Sequence, residues 1–483
     1  MAPNTPDPNA RMGSREWIRE LQPVGGGMRT IRLPELDSVP LTRPILEIID
    51  HPHFQRLRRV RQLGPTSIVY PGAVHTRFEH AIGVYGTTRR YLQSLLQLPH
   101  VADSLGAKDL RCVLLAGLLH DVGHYPFAHT LEAAHQGAVE TPRHEDLAEA
   151  LIMGRSPAPE ASGCSIATLM KRAFGVDPER VIGLISARRS ALENPIDRLL
   201  QSVISSAIDA DKMDYLWRDS VHLGVPYGRN YDRERLLNAL TVNGDGDAIA
   251  VSSKGLISAE IFLFCRYTMY SEVYWHHTVR SASVMLERAW EDLVAADART
   301  SDDLSELLLG VGDDAWLDTM VSEATPGSAA ARYLAGLTGG RRRLYKRFLT
   351  WSRVSNDATS RAVYERLYGL DRLALRQLEE RLRHRLAKLG RPMDRYAIMI
   401  DVPPRDKDQT PDVQIHYDRA IGGHASYTSL ADASMIVRGI SEDFLNVVKK
   451  IRLLIHPDYV PELAAHRHAA YEAIVDEILT GHT

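Results

Sequence analysis

Four ionisable side chains, far apart in the sequence, could share one cation: His80, the adjacent pair His120 and Asp121, and Asp211. Imidazole nitrogens and carboxylate oxygens are ordinary ligands of first-row divalent ions. Two of each on rigid elements would hold one ion and leave positions open for water. His120 and Asp121 close the apolar run LLAGLL at 114–119, and Gly123, His124, Phe127 and His129 follow. Both side chains lose water at the end of a greasy helix, and a buried unpaired charge is costly. A metal would offset that cost. Helical proteins scatter His and Asp, so spacing alone leaves open a reading in which these are satisfied core residues.

The elements that must position these groups read mostly as helices. In the stretch 51–64, Phe54, Leu57, Val60 and Leu63 fall three apart and predict one helical face, with Arg56, Arg58, Arg59 and Arg61 on the others. A Pro-Gly turn at 71–72 precedes a helix over about 76–98 that carries His80. Asp109 is placed to cap the next helix. Val113, Leu114, Leu115, Leu118 and Leu119 cover most of its circumference, so it is buried. Gly123 is placed to end it. Asp209, Asp211, Asp214 and Asp219 crowd a segment otherwise apolar at Ile208, Met213, Leu216 and Trp217, and need cations nearby. Asp209 reads as an N-cap, Asp214 as solvated, Arg218 as a structural partner for an aspartate, and Glu79 as facing solvent.

A hairpin follows at 239–255, turning at NGDGD. A long helix is expected over 258–296, and helical segments to about 389, including GGRRRLYKRF at 339–348. RYAIMIDVPP and DVQIHYDRAIG alternate as strands. SEDFLNVVKKIRLLIH and VPELAAHRHAAYEAIVDEIL read as helices. The chain is therefore expected to be mainly α. It divides into a flexible tail (1–27), a helical core domain (28–300), a helical extension (301–390) and a small α+β C-terminal domain (391–483).

At 483 residues the chain exceeds one simple core. A net charge of -3 carries no polyanion signal, so nucleic acid is not indicated as a partner. Cys112, Cys164 and Cys265 are widely spaced with no CxxC, which argues against a disulfide scaffold or a thiolate zinc site and fits a reducing cytoplasm. No window approaches a membrane span, and the start is polar and Pro-rich rather than a signal peptide.

The phrases RFEH (77–80), GLLHDVGHYPFAH (117–129) and DADKMDYLWRD (209–219), with FQRLRRVRQLG, YPGAVHTRFEHAIGVY and HLG (222–224), resemble the HD-domain phosphohydrolases. More narrowly they resemble the SAM-and-HD-domain deoxynucleoside triphosphate (dNTP) triphosphohydrolases and their bacterial relatives. The resemblance is strong over about 40–290 and weak elsewhere. It implies an HD-domain helical core in which His80, His120, Asp121 and Asp211 ligate Mn, Fe, Zn, Ni or Mg, with a second Mg on the triphosphate. It implies hydrolysis of dNTPs to deoxynucleoside and inorganic triphosphate, by water attack on the α-phosphorus. His124 and His129 would face that phosphate, His129 as the acid for the leaving 5′-oxygen. His144 and Glu132 would stand behind it, Glu132 where the family usually has aspartate. Arg77, Lys212 and Arg266 match positions that hold the triphosphate. Gln62, Leu63, Tyr215 and Asp219 match sugar contacts, and Tyr274 a residue that excludes a 2′-hydroxyl. Trp275 replaces a glutamine near the base and points to stacking.

By the same resemblance Asp50, Gln55, Arg58, Arg235, Arg342 and Lys346 match a nucleotide effector site between subunits of a homo-oligomer. PELDSV departs from the family's usual phrase there, and the arginines read equally as surface charges. The cellular role would be control of dNTP pools, as housekeeping or in defence against phage. Two rival functions stand beside this one: hydrolysis of another nucleotide or a nucleic-acid end, and a nucleotide sensor without catalysis.

Overall fold

A computed structural model describes residues 18–25, 28–34, 38–133, 141–155, 163–186, 191–296, 301–403, 413–418 and 426–481. The expected tail through residue 17 and the connection at 156–162 lie outside these. Part of the described stretch 18–25 is held against the core. Ile18 and Leu21 join the core, and Arg89 donates to the Glu20 carbonyl at 2.6 Å.

The centre is the helix Arg77–Leu95, packed between Ala107–Leu119 and Ala210–Leu223. Its buried residues face every direction, as they must in a helix enclosed by others. The helix Ala107–Leu119 starts at Gly106, whose N–H donates to the Asp109 carboxylate at 2.7 Å. Asp109 thus serves from the first turn, three residues beyond the observed cap, Gly106, rather than as the cap itself. Gly123 does not end the helix either, since Leu119 is its last residue. Its missing side chain serves close approach: a Cβ there would lie 2.0 Å from the His144 carbonyl oxygen.

Three further expectations are corrected. Residues 51–64 are not one helix. Pro52–Gln55 leads into a 3-10 turn, Arg56–Arg59, and Val60 is extended, because Arg61 bridges to Thr76. Arg56 turns inward and donates to the Val122 carbonyl at 2.7 Å. The expected helix 258–296 is broken. Leu256–Met269 passes into a π-helical turn, Tyr270–Tyr274, and restarts at His277–Ala296. Trp275 N–H reaches back five residues to the Tyr270 carbonyl, at 2.9 Å.

The third correction concerns strands. Lys346–Trp351, within the segment expected to be helical, pairs antiparallel with Ile451–Ile455, which also pairs with Ile398–Asp401. Ile451–Ile455 is buried along its whole length. A strand covered on both faces lacks alternation and mimics a buried helix in pattern. The helices Ala358–Gly369, Arg372–Ala387 and Arg467–Thr480 cover this sheet with their apolar faces. The expected hairpin is present as Leu240–Val242 and Ile249–Ser252, with Leu240 opposite Val251, and Gln414–His416 and Tyr427–Ser429 extend it. The architecture is mainly α. No helix among the described residues is long and apolar enough to cross a membrane.

Candidate active site

Three helices bring the four groups together. His80 sits in the first turn of Arg77–Leu95, His120 and Asp121 just past Leu119, and Asp211 in the first turn of the Asp209-capped helix Ala210–Leu223. His80 Nε2 lies 3.0 Å from Asp211 Oδ1, 3.3 Å from His120 Nε2 and 3.8 Å from Asp121 Oδ2. His120 Nε2 lies 3.3 Å from Asp121 Oδ1 and 3.6 Å from Asp211 Oδ1. Burial alone would lower the His80 pKa, but Asp211, Asp214 and Asp121 push it up to about 10. Burial would raise Asp121, yet its close contact with His124 Nδ1, together with His120, the Arg77 guanidinium and His80, holds it well below the usual carboxylate range. Two imidazole nitrogens and two carboxylates aimed at one point repel unless positive charge lies between them. The donor set therefore fits a divalent cation, and His80, His120 and Asp121 converge closely enough to hold one.

Three more histidines cluster alongside. The His124 ring centroid is 3.8 Å from that of His144 and 5.0 Å from that of His129. His124 is buried, and burial together with Arg77 keeps it neutral, its pKa well below the usual value. Glu132 accepts from His144 Nδ1 at 2.7 Å and from its main-chain N–H at 2.9 Å, and lies 3.8 Å from His129 Nδ1. Burial would raise Glu132, but its hydrogen bonds to His129 and His144 hold it far below the usual range. The longer carboxylate thus reaches both imidazoles. Between His124 and His129, Phe127 adopts a φ of 56°, which costs a bulky residue strain. It is held there by Trp316, with ring centroids 5.4 Å apart, and by Gly64, where a Cβ would crowd its ring at 3.3 Å.

A cleft of about 990 Å³ opens from this centre. All nine residues expected to contact substrate line it: Gln62, Leu63, Arg77, Lys212, Tyr215, Asp219, Arg266, Tyr274 and Trp275. His129 and Glu132 also line it. Arg77 donates to Asp121 at 2.8 Å, and Lys212 is tied to Asp209 at 2.6 Å. Tyr274 donates to Asp219 Oδ2 at 2.5 Å, and His75 lies 2.8 Å from Asp219 Oδ1. The π-helical turn carries Tyr270 and Tyr274 into this wall. Arg280, Arg372, Asp401 and Val402 also line the cleft, so the C-terminal sheet contributes to it through Asp401.

Two expectations about neighbouring carboxylates fail. Asp214 is fully buried, between His80 Nδ1 at 2.9 Å and a two-pronged contact from Arg218 at 2.7 and 2.9 Å. Glu79 accepts from the same Arg218 at 2.6 Å and contacts His222 at 3.0 Å. The spacing of Asp211, Asp214 and Arg218, three then four apart, marks one helical face and was the available signal. The effector candidates sit elsewhere. Arg58 donates to Gln55 at 2.7 Å, Arg235 to the Lys254 carbonyl at 3.1 Å, and Arg342 to the Ile68 carbonyl. Asp50 and Lys346 are exposed. None of the six lines the cleft.

Residues 77–216 match the HD domain, and residues 231–449 match the HD associated region. The uncharacterized protein MJ1154 of Methanocaldococcus jannaschii is 30% identical over 398 residues, which are 82% of this chain and 73% of that protein. The deoxynucleoside triphosphate triphosphohydrolase SAMHD1 of Gallus gallus is 27% identical over 315 residues, 59% of this chain and 48% of that protein. The chain likewise spans only about half of the uncharacterized YwfO of Bacillus subtilis, 51% of its length. A solved structure of a hypothetical protein from Aquifex aeolicus has the same fold, with a TM-score of 0.63 at 24% identity over 92% of this chain and 99% of that one. With matches over both of the family's regions and a relative 30% identical over 82% of the chain, the chain belongs to the HD-domain phosphohydrolases.

Proposed function

We propose that the chain is a metal-dependent hydrolase that cleaves deoxynucleoside triphosphates to deoxynucleoside and inorganic triphosphate. The observation that carries this reading is the convergence of His80, His120, Asp121 and Asp211 at one end of a cleft walled by Arg77, Lys212 and Arg266. His80, His120, Asp121 and Asp211 would hold a divalent ion, which would acidify water and draw charge from a phosphate. The three cations offset the charge of a triphosphate chain. His129, beside Glu132 and half-exposed to the cleft, donates a proton to the departing 5′-oxygen. Neutral His124 and the Glu132-bound His144 keep that imidazole in place. Asp219 and Tyr274, which contact each other in the cleft wall, bind the sugar, and Tyr274 excludes a 2′-hydroxyl. The Trp275 indole offers a face for the base, so base preference follows stacking more than edge hydrogen bonds. The relatives named for dNTP hydrolysis support the same substrate class.

The test is to incubate the purified protein with each dNTP and NTP, alone and mixed, with Mn or Mg, and to resolve the products by chromatography. Inorganic triphosphate with deoxynucleoside is the expected pair. Diphosphate or monophosphate products would overturn the mechanism, and tight nucleotide binding without turnover would make the protein a sensor. Dependence on a second nucleotide in the mixtures would bring the effector residues into play.

A further inference from the structure

His80 has two ring nitrogens and a carboxylate at each. Nε2 points to the cation site. Nδ1 points away, to Asp214 at 2.9 Å. Arg218 grips both oxygens of Asp214, so this carboxylate is ionised and can only accept. Nδ1 of His80 must then carry a proton, and with a cation bound Nε2 would give its lone pair to that cation, beside Asp211 and His120. Helix geometry sets this up: Asp214 and Arg218 are one turn apart, and Gly83 opposite them has no side chain to intrude. A Cβ at Gly83 would lie 2.0 Å from Arg218 Nη2 and 2.1 Å from Asp214 Oδ1.

The chain of contacts does not stop at Arg218. Its third nitrogen donates to Glu79 at 2.6 Å, and Glu79 contacts His222 Nε2 at 3.0 Å. The His222 ring stacks on His75, with centroids 4.3 Å apart and planes 11° apart. His75, wholly buried, reaches Asp219 at 2.8 Å, and Asp219 accepts from Tyr274. Asp219 and Tyr274 line the cleft.

We propose that Asp214 is the positioning residue that sets the His80 tautomer. Arg218, Glu79 and His222 carry that constraint to the His75–Asp219–Tyr274 wall of the cleft. The cation site and the far wall of the cleft are then one unit, joined by hydrogen bonds and by the His222–His75 stack, rather than two independent sites. Partners that orient a ligating imidazole commonly change metal affinity by about 10- to 100-fold when removed. The inference rests on the reading of His80 as a metal ligand.

The experiment measures Mn²⁺ binding to the full chain directly, by equilibrium dialysis with elemental analysis, with thermal melting as the check on folding. Wild type, His80→Ala, Asp214→Asn and His222→Phe are compared. Asp214→Asn is expected to lose about 10- to 100-fold in Mn²⁺ affinity. His222→Phe keeps an aromatic face on His75 but loses the Glu79 contact, and is expected to lose roughly two- to tenfold, the scale of one hydrogen bond. It remains informative if Asp214→Asn, which leaves Arg218 without its full carboxylate, does not fold. Unchanged affinity in a folded Asp214→Asn would overturn the positioning role. Unchanged affinity in His222→Phe would overturn the linked unit. If wild type and His80→Ala bind Mn²⁺ alike, the metal assignment itself fails, whatever the other variants do.

Discussion

Arg452, on the buried C-terminal strand, donates to the main-chain carbonyl of Trp275 at 2.7 Å. It also contacts Asp401 at 3.2 Å. Arg280 bridges the same two residues from the other side, 2.8 Å from Asp401 with its guanidinium 5.0 Å from the Trp275 ring centre. This part of the cleft wall is thus built by residues more than 120 positions apart. Arg452→Met leaves Asp401 with one cation fewer and frees the Trp275 backbone. It should cost about 3 kcal/mol of stability. It should also raise KM for the preferred dNTP roughly fivefold, the scale of one stacking contact. Calorimetry and initial-rate kinetics read the two effects, and an unchanged KM would remove Trp275 from the substrate site.

His129→Ala should lower kcat by at least about 10²-fold, the contribution of a positioned acid. Its Mn content should stay at the wild-type level, because His129 lies outside the His80–His120–Asp121 group. Elemental analysis beside turnover separates the two properties. Metal lost together with activity would show that the division between ligands and acid is wrong.

Asp211→Ala removes one of the converging carboxylates. A cation that binds only the folded chain stabilises it by about 2.7 kcal/mol at a hundredfold excess over Kd. Wild type should therefore gain Tm on addition of Mn²⁺, and Asp211→Ala should gain none. An equal gain in both would place the ion elsewhere.

Gly123→Ala should be costly although the change is one methyl group. The new Cβ would meet the His144 carbonyl at 2.0 Å and the Ala148 N–H nitrogen at 2.4 Å, and backbone on a packed helix cannot retreat. A loss of about 3 kcal/mol or more is expected in denaturant unfolding, with turnover falling as His144 moves from His124. A loss below about 0.5 kcal/mol would mean that this helix is not seated where described.

Asp313 gives a pH signature. Its carboxylate is buried. One oxygen accepts from the Arg61 N–H at 2.9 Å, and the other has no partner. Burial raises its pKa to about 6, against the partial relief from Arg61. Between the unfolded value near 3.8 and about 6, the folded chain holds the extra proton. Asp313 therefore makes stability fall as pH rises through that window, and its penalty is complete above it. Asp313→Asn should stabilise the protein at pH 7 by about 2 kcal/mol and should flatten that part of the curve. Urea melts at pH 4, 5, 6 and 7 would show this, and a steeper slope in the variant would contradict it.

What could be read before folding was chemistry written in local phrases. RFEH, LLHDVGH and DADKMDY named the converging groups His80, His120, Asp121 and Asp211, because each sits at a helix end or first turn whose pattern is local. The helix Ala107–Leu119 was legible for the same reason, since its apolar residues wrap its whole circumference. Tertiary structure decided the rest. Ile451–Ile455 reads like a helix until it is covered on both faces, and Lys346–Trp351 is a strand only because that neighbour pairs with it. Asp214 looked solvated because its partner His80 lies 134 positions away. The break at Tyr270–Tyr274 follows one extra residue in a helical turn, which no periodicity announces. Residue types and short-range spacing determine which groups can do chemistry. Which of them are buried, which ring nitrogen carries a proton and which wall closes the cleft depend on contacts between distant segments, and those are settled only when the helices and the C-terminal sheet pack.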